Sequence, residues 1–67
     1  MIIEDIKKLI KEICEKIANG EDVNTIIDVN NEDLQRVLGN SVDNDYWKRN
    51  QGLSYSLESK GRTLLGI

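Results

Sequence analysis

The stretch GLSYSLESKGRTLLGI, residues 52–67, decides the fold of this 67-residue chain. Its first half alternates apolar residues with serines, which is the period of a strand with one buried face: Leu53, Tyr55 and Leu57. After this strand two structures are open, and in the one we expect, Ser59 caps a short helix over residues 60–65. In the alternative, Lys60 and Gly61 form the turn of a hairpin, because glycine at the second turn position favours hairpins.

The first quarter of the chain predicts an amphipathic helix over residues 2–18. Its apolar stripe consists of isoleucines at steps of three or four residues: Ile3, Ile6, Ile10, Ile13 and Ile17. Asn19 and Gly20 end the helix, because glycine readily adopts the left-handed conformation that closes one. The same stripe predicts a possible homodimer contact, which would add burial to a chain this short.

The segment after this helix is short and rich in β-branched residues. The run over residues 25–29 favours a short strand, because such side chains suit a pleated, half-buried surface. Its spacing also fits one or two helical turns that begin after Asp22. We expect the strand, and we expect residues 25–27 to pair with residues 55–57.

Two short helices are predicted in the middle of the chain. The first covers residues 31–38 and ends at Gly39. Ser41 caps the second, over residues 42–50, whose acidic start and basic end suit the helix dipole. The turn between them is tight, which is the outline of a helix-turn-helix.

The tail carries three short groups of residues in a fixed order: Tyr55-Ser56-Leu57, then Lys60-Gly61-Arg62, then Leu64-Leu65. This order resembles the end of the wing in winged helix-turn-helix transcriptional regulators, where a strand runs directly into a further helix. The resemblance implies one domain over residues 1–67, mainly α with a small β element and a winged-helix-like three-helix core. It also implies a DNA-binding regulator of transcription, with residues 42–50 as the helix that enters the major groove.

Charge is divided unevenly along the chain, whose net charge is −3. Residues 1–45 carry five Lys/Arg and eleven Asp/Glu, whereas residues 46–67 carry four and one. An acidic front and a basic back predict an oriented surface, although scattered solvating charge is an equally simple interpretation. An acidic front that meets a basic partner gives the alternative function, a protein-interaction module on the same fold without nucleic-acid binding.

The candidate nucleic-acid contacts lie in and just before the basic back. Four cations are predicted to touch phosphates of double-stranded DNA if folding brings them together: Lys48, Arg49, Lys60 and Arg62. Trp47 is a candidate to stack on exposed bases, although a core anchor is the favoured interpretation of the only tryptophan in a chain without phenylalanine. Asn44 is predicted to pair with adenine, which asparagine can do in a bidentate manner.

Composition excludes several classes of protein. The chain has no histidine and one cysteine, so a histidine base and an internal disulfide are excluded, and a structural zinc site is not expected. No nucleophile–base pair or glycine-rich phosphate loop is visible, so we expect no enzyme activity and no cofactor. No stretch predicts a membrane span or a secretory signal, and we expect a cytoplasmic protein.

Overall fold

The computed structural model describes residues 3–39 and 44–67. Within these ranges the chain forms four helices and a two-stranded antiparallel sheet. The elements follow in this order: α1 (Ile3–Ala18), α2 (Asn24–Val29), α3 (Asn31–Leu38), β1 (Trp47–Arg49), β2 (Tyr55–Leu57) and α4 (Ser59–Leu65). The prediction of a mainly α fold with a small β element is confirmed.

The α1 helix forms one wall of the core, and α3, β2 and α4 all pack against it. The core contains residues from α1, the α1–α2 connection, α3 and β1: Ile6, Ile10, Ile13, Cys14, Val23, Leu34 and Trp47. Ile17 is partly buried, whereas Ile3 is 64% exposed. The isoleucine stripe therefore serves the chain's own core, and Ile3 is the one member of the stripe that remains exposed for a homodimer contact.

The end of α1 confirms the stop predicted at Gly20. Gly20 has φ +76°, its N–H donates to Ile17 O at 3.0 Å, and the N–H of Glu21 donates to Lys16 O at 2.9 Å. These two bonds are the Schellman pattern, which satisfies carbonyls that a helix end otherwise leaves unpaired.

The predicted strand over residues 25–29 is wrong, because this segment forms α2. Asp22 Oδ1 accepts a bond from the Asn24 backbone N–H at 2.9 Å, which satisfies a donor in the first turn. Ile26 and Ile27 then pack against the core, as the helical alternative requires. Burial of an apolar face outweighs the modest β preference of these side chains.

A single residue, Asn30, joins α2 to α3. Its side-chain Nδ2 donates to Ile26 O at 2.9 Å, and its backbone carbonyl accepts from Leu34 N–H at 2.9 Å. The predicted helix over residues 31–38 is confirmed, and it ends at Gly39 with φ +86°. The connection between the two helices is therefore shorter than the usual turn of a helix-turn-helix.

The predicted helix over residues 42–50 is wrong where the structure describes it. Residues 42 and 43 lie outside the described residues, and Trp47–Arg49 forms β1. The partner of β2 is therefore β1, and the predicted pairing of residues 55–57 with residues 25–27 is wrong. The register joins Trp47 to Leu57, Lys48 to Ser56 and Arg49 to Tyr55. Gly52, with φ +76°, lies in the loop of this hairpin instead of ending a helix.

The terminal helix is confirmed, and Lys60 and Gly61 lie within it rather than at a hairpin turn. It begins one residue earlier than expected, with Glu58 in the N-cap position. Gly61 is buried where α4 meets the start of the hairpin. The two backbones approach so closely that a Cβ on Gly61 would overlap the carbonyl oxygen of Tyr46. A glycine in the helix lets the two backbones approach this closely.

Candidate nucleic-acid interface

Alternation along β1 and β2 gives the hairpin one apolar and one polar face. Trp47 and its partner Leu57 face the core, so Lys48 and its partner Ser56 face away from it. Asn50 lies on the same outward side, because its Nδ2 donates to Ser56 Oγ at 2.7 Å. We call the exposed set Lys48, Asn50 and Ser56 the hairpin outer face.

Arg49 lies on the other face of the hairpin from Lys48. It pairs with Tyr55, which is partly buried against the core, although Arg49 itself is exposed. Among the described residues, neither Lys48 nor Arg49 has a carboxylate within 4.0 Å. Both cations are exposed, and they lie on two sides of a thin ribbon.

Lys60 and Arg62, on α4, already have partners at the base of the hairpin. Lys60 Nζ lies 3.6 Å from Asp45 Oδ2 and 5.9 Å from the centroid of the Tyr46 ring. Arg62 Nη1 donates to Leu57 O at 2.9 Å, an oxygen that β1 does not pair with. Exposed ion pairs such as the one at Lys60 contribute at most about 1 kcal/mol, so they can be exchanged for a phosphate.

The four predicted cations therefore lie on the hairpin and on α4, but they do not form a single patch of unpaired charge. Contact of these four residues with nucleic acid stays a prediction. The separation of these four residues along the sequence gave no information about their separation in space. The alternation of serines with apolar residues in the tail predicted a strand with one buried face, and Ser56 lies on the opposite face of that strand.

The prediction that Trp47 stacks on bases is corrected. Its side chain is 3% exposed and belongs to the core, which the core-anchor interpretation described. Asn44 lies in the turn before β1, and its Oδ1 accepts bonds from the N–H groups of Tyr46 and Trp47 at 2.8 and 2.9 Å. The Asn44 oxygen is thus used to shape the turn, and a bidentate bond to adenine would break it.

The hairpin loop is tied to the start of α2 by one side chain. Asn24 Nδ2 donates to Leu53 O at 2.7 Å and to Asp22 Oδ1 at 2.7 Å. The backbone and side-chain bonds from Asn24 both lower the pKa of the Asp22 carboxyl. The loop is therefore held in place by a polar contact between segments 29 residues apart.

Cys14 lies in the core of α1, where its side chain has 0% exposure. Burial, with a smaller contribution from the nearby charge of Glu15, raises the pKa of the Cys14 thiol from 9.0 to about 11. The thiol is therefore neutral at physiological pH and behaves as a small apolar side chain.

We predict that iodoacetamide at about pH 8 alkylates Cys14 at least about 100-fold more slowly in the folded chain than in urea, because only the thiolate reacts. Mass spectrometry over time measures both rates. Since the raised pKa favours the neutral thiol in the fold, stability should be constant below pH 9.0 and fall as the pH rises towards 11. Equal alkylation rates in the two conditions would contradict the burial of this thiol.

Within residues 3–39 and 44–67 no group of three metal-ligating side chains is placed to hold a metal ion. None of the helices in this part of the chain is long and apolar enough to cross a membrane. No protein-family model matches the chain, and neither a curated protein nor a solved structure is found to match it.

Proposed function

We propose that this chain is a small cytoplasmic DNA-binding regulator of the winged-helix type, in which the hairpin of β1 and β2 serves as the wing. The observation that carries the proposal is the hairpin outer face, which presents Lys48 beside two neutral polar side chains and no carboxylate. The order of elements supports it, because three helices precede the hairpin and a further helix follows it directly.

Charge at the base of the hairpin also supports the proposal. Arg62 uses one of its five N–H donors on Leu57 O, which leaves others for a phosphate oxygen. Lys60 is held by an exposed pair with Asp45 and by its contact with the Tyr46 ring. A duplex that lies along the hairpin outer face and the base of the hairpin thus meets two or three cations, a number that gives weak binding which falls as salt rises.

The test is a titration of fluorescently labelled duplex DNA, read by anisotropy at several salt concentrations. We expect a slope of about −2 to −3 in log affinity against log salt, because each phosphate contact releases about 0.9 counterion. Reversing both hairpin cations, Lys48→Glu with Arg49→Glu, should abolish measurable binding.

The matched control reverses two exposed lysines on α1, Lys7→Glu with Lys8→Glu, which changes the net charge by the same amount. We expect this variant to retain most of its affinity. Equal losses in the two variants would assign the effect to net charge and overturn the role of the hairpin.

A protein-interaction module is the second candidate, and the carboxylates on the outer side of α1 favour it. Glu4, Asp5, Glu12 and Glu15 are all exposed on this one helix. Absence of salt-sensitive DNA binding in a folded sample would leave this candidate. The homodimer also stays a prediction, which sedimentation equilibrium tests directly.

A further inference from the structure

We propose that DNA is contacted through the hairpin outer face and not through α3, so that binding is independent of base sequence. This inference rests on the proposed function and concerns which element makes the contact. In helix-turn-helix proteins the second helix reads base edges with residues near its N-terminus. By its place after α2, α3 is the helix that would take this role.

The N-terminal turn of α3 has the wrong charge for that role. Glu32 is exposed and Asp33 is partly buried, and both lie in the first turn. Carboxylates placed against a phosphate backbone are repelled, and on base edges they can only accept hydrogen bonds, typically from cytosine N4. Insertion of this turn into the major groove is therefore opposed at the position where base contacts are usually made.

The donors on α3 are also engaged within the helix. Arg36 Nη1 lies 3.7 Å from Asp33 Oδ1, and Gln35 Nε2 donates to Asn31 Oδ1 at 3.3 Å. Both partners lie on α3 itself, so a base would have to compete with bonds that are already formed. The helix thus offers a duplex a net negative surface with few available donors.

The hairpin outer face has the opposite character. Lys48 is its charged residue, and Asn50 and Ser56 are neutral donors linked by a 2.7 Å bond. Lysine, serine and asparagine are residues that typically bind phosphate and sugar oxygens, which fix position without reading sequence. The hairpin strands and loop, residues 47–57, contain two cations and no acid.

The experiment compares Lys48→Gln with Arg36→Gln, which each remove one positive charge from an exposed position. Both are titrated against two duplexes of equal length and base composition but unrelated sequence. At about 50 mM salt we expect Lys48→Gln to lower affinity about tenfold, the counterion contribution of one phosphate contact, and Arg36→Gln to leave it within about twofold. The unmodified chain should bind both duplexes with affinities within about twofold.

A larger loss for Arg36→Gln than for Lys48→Gln, or a preference of more than about tenfold for one duplex, would overturn this inference while DNA binding itself stands. No binding by the unmodified chain to either duplex would overturn the proposed function as well. Circular dichroism confirms that each variant is folded. If Lys48→Gln does not fold, Asn50→Ala on the same face takes its place, with an expected loss of affinity and the same criterion.

Discussion

Replacing Ile13 with alanine is expected to destabilise the folded chain by about 3 kcal/mol, within the range measured for buried isoleucines. Its side chain has 0% exposure and lies in the one core cluster of the described residues. The loss combines the transfer energy of the removed methyl groups with the cavity that remains. A single core in a chain of this size rarely supplies more than about 5 kcal/mol, so most of the stability should be lost.

Urea unfolding measures this effect, and the fluorescence of Trp47 reports it because this buried indole is the chain's only tryptophan. The matched control is Ile3→Ala, the same substitution on the same helix at a position that is 64% exposed. We expect a change below about 1 kcal/mol there. Similar losses at both positions would contradict the assignment of one buried and one exposed face to α1.

Replacing Gly61 with alanine is expected to destabilise the chain by about 2 kcal/mol or more. The sign of the change in unfolding free energy distinguishes the two effects, because helix propensity alone would favour alanine by about 1 kcal/mol. The added Cβ would overlap the Tyr46 carbonyl oxygen and lie 3.1 Å from Leu57 Cδ2. That oxygen also accepts the Glu58 N–H at 3.0 Å, so moving it strains the junction between the hairpin and α4.

The control for this substitution is Thr63→Ala, two residues further along α4 at an exposed position. Thermal unfolding followed by circular dichroism compares the two variants. We expect the Gly61 variant to melt well below the unmodified chain and the Thr63 variant to melt close to it. An increase in melting temperature for Gly61→Ala would show that α4 does not pack against Tyr46 as described.

Periodicity was sufficient to predict α1, whereas residues typical of helix ends, Gly39 and Ser59, indicated α3 and α4. The isoleucine stripe of α1 spans four turns, so its period is unambiguous, and glycines end α1 and α3 at the expected positions. The errors fell on residues 25–29 and 42–50, where local signals fit more than one structure. Residues 25–29 fit both periods, and only packing against α3 and the core makes the helix the better solution.

The strand β1 could not be predicted from local signals, because Lys48 and Arg49 also suit the end of a helix. Its three residues become a strand through pairing with β2, a contact that the sequence does not specify locally. The arrangement of the candidate site could not be predicted for the same reason. The cations were identified by residue type, whereas their partners, Asp45 and the Leu57 carbonyl, depend on the fold.

Adjacent residues of β1 serve the core and the surface, since Trp47 points inward and Lys48 outward. A shift of the strand pairing by one residue would exchange them, placing an ammonium group among isoleucines and an indole in water. Burying an unpaired charge costs several kcal/mol, more than a small domain can lose. Correct pairing of this short ribbon therefore sets both the stability of the chain and the direction in which its positive charge is displayed.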